Sequence, residues 1–234
     1  MGAPDVTVVC VGPETSEMPL YDPKLLEGLD WSTVTHMKGG VTSLSPGPGL
    51  RVRPLCKGDY DRGFLQLLAQ LTKVGDISRE QFEERFEAMQ RCPGHYYVTV
   101  VEDMDQGKVI ASATLACELK FIRACATRGR LEDVVVSDQY RGRQLGKLIV
   151  TTINLLARHV GCYKLGLDCT DAMKKFYSSL GYSSEPGNDN TMIIRFSAPS
   201  PAANGIPTDA SCSNGAPATA PAAAATTAAA TSNL

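Results

Sequence analysis

The 234-residue sequence is poor in metal-binding side chains and in net charge. It contains only three histidines, and its eight cysteines include no Cys-x-x-Cys pair, so no zinc-ligand spacing is present. A formal net charge of −2 and a pI near 5.9 give no general attraction to nucleic acid or to an anionic membrane. We therefore predict neither a metal site nor a nucleic-acid-binding surface.

Long apolar runs and processing signals are also missing. No segment approaches the roughly 18 apolar residues that a membrane-spanning helix needs. Val6 stands where a myristoylation signal has Ser or Thr, and no charged stretch precedes an apolar one. Cysteines in apolar runs such as LACEL are typical of reduced core thiols. These features predict a cytoplasmic protein without a membrane span, and peripheral association with endomembranes stays open.

Composition divides the chain into three parts. Residues 1–49 are rich in Gly, Pro, Ser and Thr and predict a flexible arm, with an apolar docking segment near 18–31. Residues 197–234 are rich in Ala, Thr and Pro with Asp209 as the one charged side chain, which predicts a disordered tail. Residues 50–196 are predicted to form one folded domain.

Hydrophobic periodicity in this domain alternates between strand and helix. Strands are predicted over LRVRPLC, YYVTVVED, KVIASATLACELKF, LEDVVV, YKLGLDC and TMIIRF. Helices are predicted over 64–71, after a Ser78–Gln81 capping box, over 145–156 and over AMKKFYSSL. The order β-α-α-β-β-β-α-β-α-β predicts an α/β fold, with a mixed sheet flanked by helices on both faces.

The stretch DQYRGRQLGKLIV concentrates backbone freedom and positive charge just before an apolar helix. The first N–H groups of a helix are unpaired, and its dipole favours an anion there. Gly142 and Gly146 permit close approach of a ligand, and three cations add charge: Arg141, Arg143 and Lys147. The stretch is neither a Walker loop nor a G-x-G-x-x-G fingerprint. It predicts a pyrophosphate site or, alternatively, a capped helix with a solvated basic end.

Several stretches carry a resemblance to a known family. EDVVV, RGRQLGKL and FYSSLGY occur in the order and spacing of the GNAT superfamily of acetyl-CoA-dependent N-acetyltransferases. More narrowly, RGRLEDVVVSDQYRGRQLGKL, GCYKLGLDC and KFYSSLGY closely resemble the glucosamine-6-phosphate N-acetyltransferase family. The resemblance extends in order over 20–196 and implies the GNAT fold, an α+β arrangement with a twisted, mostly antiparallel mixed sheet.

The same resemblance implies a reaction and an assembly. Acetyl-CoA is the implied co-substrate, with no metal, and the acetyl group passes to the amine of glucosamine 6-phosphate by direct attack in a ternary complex. The product would serve UDP-N-acetylglucosamine biosynthesis. Members of the family are homodimers that share their substrate pockets, so a homodimer is expected here.

The resemblance also assigns residues to acetyl-CoA. The pantetheine arm is expected to pair with the backbone of the EDVVV strand, and the pyrophosphate to lie on the glycine-containing loop. The implied contacts are Val134, Val135, Val136, Arg141, Gly142, Arg143, Gln144, Leu145, Gly146, Lys147, Tyr177, Ser178 and Ser179. Gln144 departs from the superfamily pattern, which has glycine at this position.

Catalytic roles follow from the same matches. Tyr177 matches the tyrosine that protonates the departing sulfur, and Val134 offers a backbone N–H for the oxyanion. Glu132 and Asp133 match the pair that orients the sugar, and Asp168 matches the acid near the amine. Without the resemblance, Tyr177 would be interpreted as a core aromatic and the three acids as solvated ends of strands.

Cations are expected around the sugar phosphate. The implied substrate contacts are Thr72, Lys120, Phe121, Ile122, Arg123, Glu132, Asp133, Tyr163, Lys164 and Arg195. Arg123 stands where several family members have histidine, and it keeps a donor while making the charge permanent.

Two other functions stay open at this point. A GNAT enzyme for another amine, such as a peptide lysine, would be expected to carry an open acidic groove in place of these cations. A non-catalytic acyl-CoA sensor would keep the loop but would not need Tyr177 and Asp168 together. An acetylation assay with a panel of amino sugars separates the three functions.

Overall fold

The computed structural model describes residues 17–37 and 39–185, in which five strands form one sheet. The strands are β1 (Leu50–Pro54), β2 (Tyr96–Asp103), β3 (Lys108–Leu119), β4 (Thr127–Val136) and β5 (Cys162–Gly166). Neighbouring strands are antiparallel except β4 and β5, which are parallel. This arrangement confirms the mixed, mostly antiparallel sheet. The predicted final strand TMIIRF, which contains Arg195, and the predicted tail lie outside the described residues.

The helices include the four that the sequence predicts and two short additional ones, before β1 and between β3 and β4. They are α1 (Lys24–Glu27), α2 (Phe64–Leu68), α3 (Arg79–Gln90), α4 (Ile122–Cys125), α5 (Leu145–His159) and α6 (Lys174–Ser178). In the described part of the chain, no helix has the length and apolar character needed to cross a bilayer, and no group of three or more acidic, His or Cys side chains could hold a metal ion.

Two apolar clusters cover the two faces of the sheet. On one face the buried side of α5, including Leu148, Ile153 and Leu156, packs against β3 and β4. On the other face Phe64 of α2 and Phe86 of α3 pack in a cluster with residues of β2 and β3. Because helices cover both faces, the central strands are apolar on both sides.

The helix α3 begins at the capping box that the sequence predicts. The Ser78 hydroxyl accepts a hydrogen bond from the Gln81 N–H (3.3 Å), and the Gln81 side chain accepts one from the Ser78 N–H (2.9 Å). The helix α2 is shorter than predicted. It ends at Leu68, where a tight turn begins with the Leu71 N–H bonded to the Leu68 carbonyl, so Leu71 is exposed.

The segment before β1 packs onto the same folded unit. Leu20, Leu26 and Leu29 are buried. The Tyr21 hydroxyl lies 2.7 Å from the Thr99 hydroxyl, and the His36 ring lies 2.8 Å from the Thr151 hydroxyl of α5.

A buried ion cluster joins β1, β2 and the turn after β1. Arg53 forms two 2.7 Å bonds to Asp59, and its Nε lies 2.8 Å from Glu102, which also accepts from Arg51. Burial alone would raise the pKa of Glu102, but the hydrogen bonds from Arg53 and Arg51 outweigh it and hold that pKa at about 2. Glu102 therefore stays ionised and paired.

Candidate active site

Strand β4 extends beyond the end of β5 and leaves an open edge in the sheet. The two strands pair from Thr127 to Arg130, and β5 ends at Gly166, opposite Arg130. From Leu131 to Val136, β4 has no partner among the described strands on that side. This open edge offers backbone N–H and C=O groups to an extended ligand that carries amides of its own.

A β-bulge lies at the start of the open edge. The pairing of β3 with β4 shifts between Ser112 and Thr114, and Asp133 adopts a left-handed φ of 51°. A bulge places an extra residue on one strand, bends it and redirects the side chains around it. The predicted acids Glu132 and Asp133 thus lie where the strand changes direction.

An arginine links two of the predicted acids. The Arg130 Nε donates to Glu132 Oε1 at 2.7 Å, and the Arg130 terminal nitrogen donates to Asp168 Oδ2 at 2.7 Å. Glu132 and Asp168 are 36 residues apart in sequence, and this guanidinium links them at the start of the open edge. Arg130 is absent from the predicted site. The sequence could have indicated it, because Arg130 is two residues from Glu132, and side chains at that spacing on a strand share a face.

Tyr177 lies buried on α6. Its ring meets Phe176 and Tyr182 edge-on, with centroids 5.1 and 5.7 Å away. Burial first, and then the Cys169 thiol, raise the pKa of the Tyr177 phenol, so it keeps its proton at neutral pH. Within the described residues its hydroxyl makes no hydrogen bond, whereas the Ser179 hydroxyl donates to a helix carbonyl.

The loop before α5 packs against α6 and the end of β4. A Cβ built on Gly146 would lie 3.6 Å from the Phe176 ring and 3.8 Å from Val136. The helix starts with Leu145, and its N-cap residue Gln144 has a left-handed φ of 62°. Gln144 thereby follows the backbone path that glycine takes more easily, at a cost of about 1 kcal/mol.

Two arginines of this loop contact neighbouring side chains. Arg141 pairs with Asp138 at 2.5 Å, and the Arg143 guanidinium lies 5.0 Å from the centre of the Tyr140 ring. The Tyr140 hydroxyl in turn donates to Asp103 at 2.5 Å. The first N–H groups of α5 therefore follow a loop that carries positive charge, which suits a pyrophosphate.

Other predicted substrate contacts lie at the opposite end of β4. Lys120 pairs with Glu118 at 2.5 Å, and the Arg123 guanidinium lies 5.0 Å from the centre of the Tyr163 ring. Lys164, beside Tyr163, pairs with Glu185 at 2.9 Å. In the turn between β3 and β4, Phe121 and Ile122 are exposed.

The cations at this end of β4 lie far along the strand from the acids Glu132 and Asp168. Glu132 is five positions beyond Thr127, which is about 17 Å along an extended strand. A single chain therefore does not bring Lys120 and Arg123 to Glu132 and Asp168. Thr72 is exposed in the turn after α2, and this turn reaches the loop before α5, because the Gln70 side chain accepts the Asp138 N–H at 3.0 Å.

The turn between β3 and β4 begins earlier than the sequence predicts. The sequence predicts that β3 continues through Phe121, but the strand ends at Leu119. The three residues Arg123, Ala124 and Cys125 all have positive φ angles, between 54° and 59°. The Lys120 N–H bonds to the Ala126 carbonyl at 3.0 Å and closes the turn. This closure ends the strand early.

Comparison with known proteins identifies the family. The model of the acetyltransferase (GNAT) family matches residues 64–182. The chain is 55% identical over 184 residues to the probable glucosamine 6-phosphate N-acetyltransferase of Drosophila melanogaster, covering 78% of this chain and 84% of that protein. It is 38% identical over 135 residues to glucosamine 6-phosphate N-acetyltransferase of Arabidopsis thaliana, covering 58% and 91%.

A solved structure agrees with the sequence comparison. The crystal structure of glucosamine-6-phosphate N-acetyltransferase from Arabidopsis thaliana superposes with a TM-score of 0.59 at 35% identity, covering 63% of this chain and 97% of that one. The chain belongs to the GNAT family of acetyltransferases, which use acetyl-CoA as co-substrate. Within that family it is a member of the glucosamine 6-phosphate N-acetyltransferases.

Proposed function

We propose that the protein transfers the acetyl group of acetyl-CoA to the amine of glucosamine 6-phosphate, a step that supplies UDP-N-acetylglucosamine synthesis. The observation that carries this proposal is the open edge of β4 from Leu131 to Val136, beside the linked acids Glu132 and Asp168. An extended pantetheine arm fits such an edge, and an amine can donate N–H bonds to the carboxylate oxygens that Arg130 leaves unbonded.

The chain supplies position and polarity to the reaction. Acetyl-CoA, when bound, brings a thioester that an amine can attack directly. The β4 edge holds its pantetheine arm, and the N–H of Val134 offers a donor to the carbonyl oxygen. The N–H groups at the start of α5, with Gly142 and Arg143, hold its pyrophosphate. Tyr177 keeps a proton on its buried hydroxyl for the departing sulfur.

The sugar phosphate is proposed to bind Lys120, Arg123 and Arg195. A sugar without the phosphate would lose its charge-assisted bonds to these cations, so the site should discriminate against it. We expect kcat/KM for glucosamine to be at least about a hundredfold below that for glucosamine 6-phosphate. Steady-state release of CoA measures both values.

Two results of that assay would contradict the proposal. Equal kcat/KM for the two sugars would exclude a phosphate site. Acetylation of a peptide lysine or another amine, with no acetylation of either sugar, would favour a GNAT enzyme of different specificity. Binding of acetyl-CoA without any turnover would indicate the acyl-CoA sensor.

A homodimer with shared pockets is part of the same proposal. The described cations lie in the turn before β4, and the first residue of β4 is about 17 Å along the strand from Glu132, so a second copy is proposed to complete the pocket. The same end of the sheet carries Leu119, Phe121 and Ile122, which are 67%, 97% and 64% exposed. Adjacent exposed apolar side chains of this kind mark a protein interface.

Phe121→Asp tests the dimer. The charge should disfavour burial of this surface, and we expect sedimentation velocity to change from a dimer to a monomer, with loss of most activity. Leu44→Asp is the matched control, since Leu44 is 64% exposed outside this turn, and it should leave the dimer intact. A Phe121→Asp protein that stays dimeric and active would rule out this interface.

A cytoplasmic location is proposed as well. The six described cysteines are all free thiols, as expected in a reducing compartment.

A further inference from the structure

Arg130 is paired with a small residue on each adjacent strand. Its partner on β3 is Ala116, and its partner on β5 is Gly166. Side chains of paired residues share one face of a sheet, and a Cβ built on Gly166 would lie 3.5 Å from the Arg128 guanidinium on that face. The Arg130 guanidinium extends along this face to Glu132 and beyond the end of β5 to Asp168.

The guanidinium uses only one oxygen of each carboxylate. It binds Glu132 Oε1 and Asp168 Oδ2, and no bond is recorded for Glu132 Oε2 or Asp168 Oδ1 within the described residues. The side chains of Glu132 and Asp168 are 43% and 60% exposed, whereas that of Arg130 is 26% exposed. Two carboxylate oxygens thus remain accessible beside a fixed positive charge.

Other charges near this site come from three strands. On β3, Glu118 lies across from Arg128 and is paired with Lys120. On β4, Asp133 follows Glu132. On β5, Lys164 lies across from Arg128 and is paired with Glu185.

None of these neighbouring groups bonds to both acids of the proposed amine site, Glu132 and Asp168, as Arg130 does. Glu118 and Lys164 each have a partner of their own, and Arg128 bonds to neither acid. Removal of Arg130 would leave the two carboxylates without this bridging countercharge.

We propose that Arg130 is a positioning residue for the acetyl-accepting amine: it fixes Glu132 and Asp168 and keeps the bound amine in its neutral, nucleophilic form. This role rests on the proposed acetylation of an amino sugar. Two unbridged carboxylates would hold a substrate ammonium strongly and favour its charged form, which cannot attack a thioester. A guanidinium between them offsets that attraction and leaves the acids as oriented acceptors of N–H bonds.

The test is the pH dependence of kcat in variants of Arg130. Arg130→Gln removes the charge. We expect the acidic limb of the pH profile of kcat to move to higher pH by about one unit, because the bound ammonium then holds its proton more tightly. We also expect kcat/KM for glucosamine 6-phosphate at pH 7 to fall by about 10- to 100-fold.

Two further variants separate charge from geometry. Arg130→Lys keeps the charge but lacks the fork that binds two carboxylates, so the limb should stay in place while KM for the sugar rises several-fold. Arg128→Gln removes an equal charge two residues away on the same face, where the Arg128 Nε has no hydrogen-bond partner in the described structure. This control should not move the limb.

The outcomes discriminate between the two proposals. An active, folded Arg130→Gln protein with an unmoved limb would show that Arg130 is only structural and would overturn this inference alone. If Arg130→Gln fails to fold, an Arg130→Lys protein whose limb moves as far as one pH unit, or whose KM is unchanged, overturns it. Wild-type protein that acetylates no amino sugar would refute the proposed function, and this role with it.

Discussion

Tyr177→Phe is expected to lower kcat by a factor of about 10² to 10⁴ and to leave both KM values nearly unchanged. The ring of Tyr177 packs edge-on between Phe176 and Tyr182, and phenylalanine preserves that packing. The substitution therefore removes the hydroxyl alone. Because burial raises the pKa of this phenol, its proton is available at neutral pH for a departing thiolate.

Tyr182→Phe is the matched control for this experiment. The Tyr182 hydroxyl donates to Asn154 at 2.5 Å, so its loss should reduce stability by about 1 kcal/mol and leave kcat intact. Single-turnover kinetics should accompany both variants, since a slow product release would hide an effect on chemistry. Full kcat in Tyr177→Phe with chemistry rate-limiting would leave Tyr177 as a core aromatic.

Asp59→Ala should be the most destabilising of the simple substitutions. Asp59 is completely buried and accepts two 2.7 Å bonds from Arg53. Removal of Asp59 leaves the buried Arg53 with Glu102 as its remaining acidic partner in the described structure, and breaking a buried pair costs about 3–5 kcal/mol. For a domain of this size, that loss lowers Tm by roughly 10 °C, which thermal unfolding followed by circular dichroism would measure.

An exposed ion pair provides the control for Asp59. Asp61 pairs with Arg79, but its side chain is 63% exposed, and surface pairs contribute about 0–1 kcal/mol. Asp61→Ala should therefore lower Tm by no more than a few degrees. Similar small decreases in both variants would show that the cluster around Arg53 admits water and adds little to stability.

Local sequence signals predicted most of the fold. The capping box at Ser78 and the hairpin between β2 and β3 depend on residues close in sequence, and the structure contains both. The end of α2 and the end of β3 could not be placed in this way. Both are set by tight turns whose hydrogen bonds compete with continued helix or strand, and apolar periodicity does not report those turns.

The sequence indicated individual residues of the site but not the contacts between them. Motif resemblance indicated Glu132, Asp168 and Tyr177, and these assignments remain proposals. The link through Arg130 depends on how β4 and β5 lie side by side, a contact between residues far apart in sequence. Likewise, nothing in the local pattern of KFIR shows that its cations lie far along the strand from the acids of the same chain.

The pairing of β4 with β5 limits which changes in chain length the protein can tolerate. Arg130 and Gly166 form the last pair before the strands separate, so one residue pair marks both the start of the open edge and the anchor of the two acids. A one-residue slip would turn Arg130 and Glu132 to the opposite face of the sheet. An insertion or deletion within 128–132 would therefore remove the ligand edge and the amine site together, whereas a change of length in the exposed turn before β5 would spare both.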